Sequence, residues 1–191
     1  MLSVLVIDES RSRAGEICAG LALAGYQVAA ILAGSENMTA EVERLQPDVI
    51  LIDTDSPSRD TLEHLATMNK DMPRPVVIFT QEDGKDAIRD AVKAGVSAYI
   101  IDGLDPKRIK PIVEVAQARF EETQALRREL DDISRKLTDR KLVDKAKGVL
   151  MKARGLDEDA AYHAMRKLAM ERGQTMAKVA RDVIDMARVL L

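Results

Sequence analysis

"VILIDTDSP" (49–57) is the stretch that decides the fold. Four aliphatic residues run without polar interruption into Asp53. A short run of this kind suits a strand buried on both faces. Five such runs occur: "LSVLVI" (2–7), "QVAAIL" (27–32), "DVILI" (48–52), "PVVIF" (75–79) and "SAYII" (97–101). Helical patterns lie between them. Ile17, Leu21 and Ala24 lead to Gly25; Ala87, Ile88, Ala91, Val92 and Ala94 lead to Gly95. A glycine just past the last periodic residue stops a helix. Strand and helix alternating five times predict an α/β fold with a doubly wound parallel sheet over 1–110. Functional groups of such sheets gather beyond the carboxyl ends of the strands.

Composition narrows the function classes. With 46% hydrophobic and 32% charged residues among 191, wholesale disorder is excluded. Trp is absent and aromatics make up 3%, so the cores must be aliphatic. The single Cys18 cannot form an internal disulfide, and "MLSVLVIDES" (1–10) lacks a basic signal-peptide start. No apolar run approaches the ~20 residues that span a bilayer. The expectation is a cytoplasmic protein without membrane contact. Charge is uneven: residues 1–110 carry 12 Lys/Arg against 18 Asp/Glu, and residues 137–191 carry 12 against 8. An acidic front and a basic tail point to two parts with different partners.

After Pro111 no Gly or Pro occurs until Gly148. Leu126, Leu130, Ile133 and Leu137 are spaced 4, 3, 4, and the residues between them are strongly charged. This predicts a coiled-coil helix over 111–136 and a homodimer; the alternative is a helix packed on its own domain. The tail, 137–191, predicts a small three-helix all-α domain. Its first helix stops at Gly155, the second starts at the capping Asp157 and ends near Gly173, and Thr175 caps the third.

Asp8 and Glu9 follow the first strand, Asp53 the third and Thr80 the fourth. In a doubly wound sheet these approach one crevice. Clustered carboxylates repel and call for Mg²⁺ or a proton. This pattern resembles the receiver domain of bacterial response regulators, over roughly residues 1–120. The resemblance implies a flavodoxin-like sheet of order 2-1-3-4-5. It implies Asp53 as phospho-acceptor, Asp8 and Glu9 with Asp53 as a Mg²⁺ site, Thr80 as switch hydroxyl and Tyr99 as switch aromatic. In "YIIDGL" (99–104), Asp102 stands where receivers carry a lysine. Like charge at contact range costs on the order of 1–4 kcal/mol. A working phosphorylation site and a vestigial one both remain open.

In the tail, helical spacing puts Lys141, Lys145, Gly148 and Lys152 on one stripe, with Arg140, Lys147 and Arg154 beside it. Gly148 weakens the helix by roughly 0.5–1 kcal/mol relative to alanine. Two readings account for it: close approach of a phosphate backbone between lysines, or close helix packing. Tyr162 and Arg166 share a face, next to Lys167, and suit a splayed-out base; Tyr162 as a half-buried core residue is the alternative. "LTDRKLVDKAKGVLMKARG" (137–155), "AYHAMRKLAM" (161–170) and "VARDVI" (179–184) resemble the ANTAR domain, an RNA-binding output module.

The whole chain thus resembles AmiR/NasT-type regulators, and "YIIDGL" resembles the NasT branch of nitrate/nitrite assimilation. The resemblance implies a non-enzymatic antiterminator that requires no cofactor. It would bind paired stem-loops in leader mRNA as a coiled-coil homodimer and so act on the transcription complex indirectly. A nitrate-sensor-type inhibitory protein would be its partner. The other reading is a DNA-binding two-component response regulator, with "RGQTMAKVARDVIDMA" (172–187) imitating a helix-turn-helix.

Overall fold

The computed structural model describes residues 1–9, 14–101 and 107–190; the side chains of 14, 189 and 190 are outside the description. The strands are β1 (Ser3–Asp8), β2 (Gln27–Leu32), β3 (Val49–Asp53), β4 (Val76–Thr80) and β5 (Ala98–Ile101). The helices are α1 (Ala14–Leu23), α2 (Met38–Leu45), α3 (Arg59–Asp71), α4 (Lys85–Lys93), α5 (Ile109–Arg154), α6 (Glu158–Arg172) and α7 (Met176–Leu190). The chain divides into two compact units, 1–124 and 125–191, with the division inside α5.

In the first unit all strands are parallel, in the order β2-β1-β3-β4-β5. Every residue of β3 and β4 is buried. Alternate side chains therefore feed two cores. Val4, Val6, Leu51, Val77 and Phe79 meet Ile17 and Leu21 of α1 and Ile109 and Val113 of α5. Leu5, Ile7, Ile50, Ile52 and Ile78 meet Met38 of α2, Leu65 of α3 and Ala91 of α4. Gly25 and Gly95 end their helices with φ of +86° and +92°, in the region that glycine enters without steric cost. The polar start of α3 is capped by Ser58, whose hydroxyl accepts from the Thr61 N–H.

In the second unit α6 and α7 fold against the carboxyl-terminal part of α5. Ala146, Met165, Ala169, Val179, Ala180 and Ile184 form the core, flanked by Leu142, Leu150 and Val183. Asp157 caps α6 by accepting from the Ala160 N–H at 2.7 Å. The Thr175 hydroxyl accepts from the Lys178 N–H at the start of α7. The expected coiled-coil residues Leu126, Leu130, Ile133 and Leu137 are 54–66% exposed. No helix among the described residues is long and apolar enough to cross a membrane.

Candidate functional site

Two groups of side chains are placed by these units. The first lies at the carboxyl ends of β1, β3 and β4. Asp8 and Asp53 are register partners on neighbouring strands, and both are buried. Thr80, also buried, ends β4; its hydroxyl donates to the Asp55 carbonyl at 2.9 Å and accepts from the Glu82 N–H at 3.2 Å. Tyr99 on β5 donates its hydroxyl to the Glu82 carbonyl at 3.0 Å. Burial pushes the Tyr99 phenol above its ordinary value; the Thr80 hydroxyl opposes this, and the charges of Glu82 and Asp83 add to it. Asp102 lies outside the described residues.

Glu9 departs from the expectation. Its N–H donates to the Asp53 carbonyl, but its carboxylate accepts from the Thr61 hydroxyl at 2.9 Å. Thr61 in turn lies 3.2 Å from the Ser35 hydroxyl and 2.9 Å from that of Ser58. Because its own proton goes to Glu9, Thr61 accepts from these neighbours. Glu9 thereby ties the end of β1 to the start of α3. A hard divalent cation takes oxygen donors, and Asp8 and Asp53 supply two carboxylates. Among the described residues, however, no group of three or more His, Cys, Asp and Glu is placed to hold a metal. Of the three acids expected at a Mg²⁺ site, Asp8 and Asp53 stand side by side, while the Glu9 carboxylate reaches a hydroxyl on α3.

The second group is on the three-helix unit. Arg140, Lys141, Lys145, Lys152 and Arg154 of α5 are exposed, as are Tyr162, His163, Arg166 and Lys167 of α6. Tyr162 is 40% exposed, stands outside the core cluster of this unit and meets His163 edge-on, with ring centroids 6.0 Å apart. Lys167 is 3.9 Å from Glu171. Lys147 differs from its expected place among exposed cations. Its side chain is 14% exposed, and its ammonium lies 2.8 Å from Asp144 and 2.7 Å from Glu158. The Asp144 and then the Glu158 carboxylate hold this ammonium above its ordinary value, and Lys147 holds Asp144 below its own. Lys147 is a tie between α5 and the first turn of α6. The helical spacing of α5 alone does not show it, since Glu158 lies beyond the turn.

Gly148 is not packed against a helix. A methyl group there would meet no neighbouring heavy atom within 4 Å. It lines a depression of about 480 Å³ shared with Arg140, Asp144, Lys147, Met151 and Glu158. The close-packing reading of Gly148 therefore falls, and its surroundings carry both signs of charge rather than lysines alone.

Comparison with known proteins assigns both units. The model of the response regulator receiver domain matches residues 4–114, and that of the ANTAR domain matches residues 131–184. The transcriptional regulatory protein PdtaR of Mycobacterium tuberculosis is 30% identical over 161 residues, 84% of this chain and 78% of that protein. The nitrate regulatory protein of Klebsiella oxytoca is 36% identical over 75 residues, 39% of this chain and 19% of that one. The crystal structure of a CheY-like receiver domain from Methanospirillum hungatei covers 64% of this chain and 98% of its own, with a TM-score of 0.56 at 19% identity, a likeness of fold.

Proposed function

Because the chain belongs to the response regulators that join a receiver domain to an ANTAR domain, we propose that it binds structured RNA through its three-helix unit and acts as a transcription antiterminator. Such a regulator controls expression and is not an enzyme. The observation that carries the proposal is the exposed basic and aromatic surface of α5 and α6. Lys141, Lys145 and Lys152 supply charge for phosphates. Tyr162 and Arg166 offer stacking and charge-assisted bonds to an unpaired base. The DNA-binding alternative is less well supported. On α7 the exposed Lys178 lies 3.0 Å from Asp182, and Arg188 lies 3.7 Å from Asp185. Two of its cations thus face acids of the same helix, which weakens that surface for a duplex backbone.

The exposed stripe of Leu126, Leu130, Ile133 and Leu137 supports homodimerisation through α5. Two copies would present two RNA-binding units to paired stem-loops in a leader mRNA. Occupied stem-loops would exclude the terminator hairpin and let the transcription complex read through. The front unit would regulate this in the cytoplasm by docking a sensor protein. Nitrate/nitrite assimilation as the target rests on the resemblance to the NasT branch and on the Klebsiella relative. Mg²⁺ would find two aspartates at the front site, and no step of the proposal runs through it. Alanine at Lys141, Lys145 and Lys152 together tests the surface. The salt dependence of RNA binding should fall by about one unit per lysine that contacts a phosphate. Unchanged affinity and slope would move the site elsewhere.

A further inference from the structure

The second unit leaves a groove of about 570 Å³ where α5, α6 and α7 meet. That volume lies within the roughly 300–1,000 Å³ of small-molecule sites. Nine of the residues lining it are apolar and three are charged. Leu150, Met165, Leu168 and Val183 make its floor continuous with the core of the unit. Met186, 60% exposed, stands on its α7 side. A methionine is flexible and polarisable, so such a wall adapts to an apolar guest. The charged residues are Arg154, Lys167 and Glu171. Glu171 stands 3.9 Å from Lys167, and these two offset each other. Arg154 makes no ion pair among the described residues and leaves the groove one positive charge in excess.

This combination selects a guest. A sugar or a phosphate diester leaves the apolar floor unpartnered. A wholly apolar guest leaves Arg154 unused. A planar anionic head suits the guanidinium, whose forked N–H groups match a carboxylate in pairs. We propose that the groove binds one linear fatty carboxylate of medium chain length, with its head on Arg154 and its chain over Leu150, Leu168 and Val183. The α6 side of the groove runs from Ala164 to Glu171, a span of ~10 Å at a helical rise of 1.5 Å per residue. Each methylene buried within that span should tighten binding about fourfold. A methylene beyond it extends into water and adds little.

The test is isothermal titration calorimetry on the full chain with sodium hexanoate, octanoate, decanoate and dodecanoate, each below its micelle-forming concentration. Octanoate should bind about fifteenfold tighter than hexanoate. The gain should level off between decanoate and dodecanoate as the chain outruns the groove. Decanamide has the same chain and no charge, and should bind about fivefold weaker than decanoate or worse. Arg154→Gln should bring decanoate and decanamide within about twofold of each other while keeping the chain-length series. Ala164→Phe fills the groove and should lose most of the decanoate affinity. If that variant fails to fold, the chain-length series on the wild type and Arg154→Gln still decide the matter. An affinity that keeps rising through dodecanoate, or that survives both substitutions, would show unselective apolar adsorption and overturn the site. So would a decanoate affinity that falls as protein concentration rises, since a second copy would then be covering the groove. Flotation with phosphatidylglycerol vesicles, without binding of the free acids, would overturn it in favour of a membrane surface.

Discussion

Leu130→Ala tests the assembly. Leu130 is 66% exposed in the single chain, and Leu126, Ile133 and Leu137 flank it at heptad spacing. The substitution removes three carbons, of which about two-thirds of the surface is still available for burial. At ~0.8 kcal/mol per buried CH₂ this is about 1.6 kcal/mol per copy and ~3 kcal/mol per dimer. At 1.4 kcal/mol per tenfold, the dimer should weaken on the order of a hundredfold. Alanine has the highest helix propensity, so α5 itself should not suffer. Sedimentation velocity across a concentration series reads the dissociation constant, and circular dichroism checks the helix. A wild type that stays monomeric at ~100 μM, or a variant that dimerises equally well, would refute the reasoning, and the stripe would then be a solvated helix face.

Other expectations follow from single contacts. Gly148→Ala should stabilise the three-helix unit by about 0.5–1 kcal/mol, because the methyl group meets no neighbour and only the propensity difference remains; a thermal melt that falls instead would show hidden packing. Tyr99→Phe removes the donation to the Glu82 carbonyl and should cost about 0.5–1.5 kcal/mol in urea unfolding. Because burial raises the Tyr99 phenol, its contribution is present below pH 10 and lost as pH rises through the raised value, so the deficit of the variant should shrink in strong alkali. Lys147 holds Asp144 below the ordinary 3.8, so that contribution is present above pH 3.8 and lost as pH falls through the lowered value. Lys147→Met should therefore flatten the acid limb of the unfolding profile of the three-helix unit.

Much of this was legible in the sequence because it depends on local pattern. Central strands buried on both faces read as unbroken apolar runs, and β3 and β4 are buried throughout. Gly25, Gly95, Gly155 and Gly173 mark helix ends because the backbone there takes positive φ. Asp157 and Thr175 announce their helices through caps that the structure forms. What escaped depends on tertiary partners. Thr61 is 52 residues from Glu9, and nothing in "VIDES" (6–10) announces a hydroxyl waiting on α3. Lys147 looks like any other cation of its stripe until α6 folds back and brings Glu158 to it. Asp144 of α5 already puts one acid beside Gly148, and the same fold-back adds Glu158 from α6. The segments expected at 1–110, 111–136 and 137–191 share one continuous α5, and the compact units divide between residues 124 and 125. A helix carries no break in sequence where one unit gives way to the next.

RNA binding by the three-helix tail is what everything else in the proposed function depends on. A competition experiment tests it most directly: full-length protein, a labelled stem-loop RNA and unlabelled duplex DNA of equal charge, at one fixed salt concentration. RNA is expected to compete at least tenfold better than the duplex, and alanine at Lys141, Lys145 and Lys152 should abolish the difference. Equal or better competition by duplex DNA would contradict it.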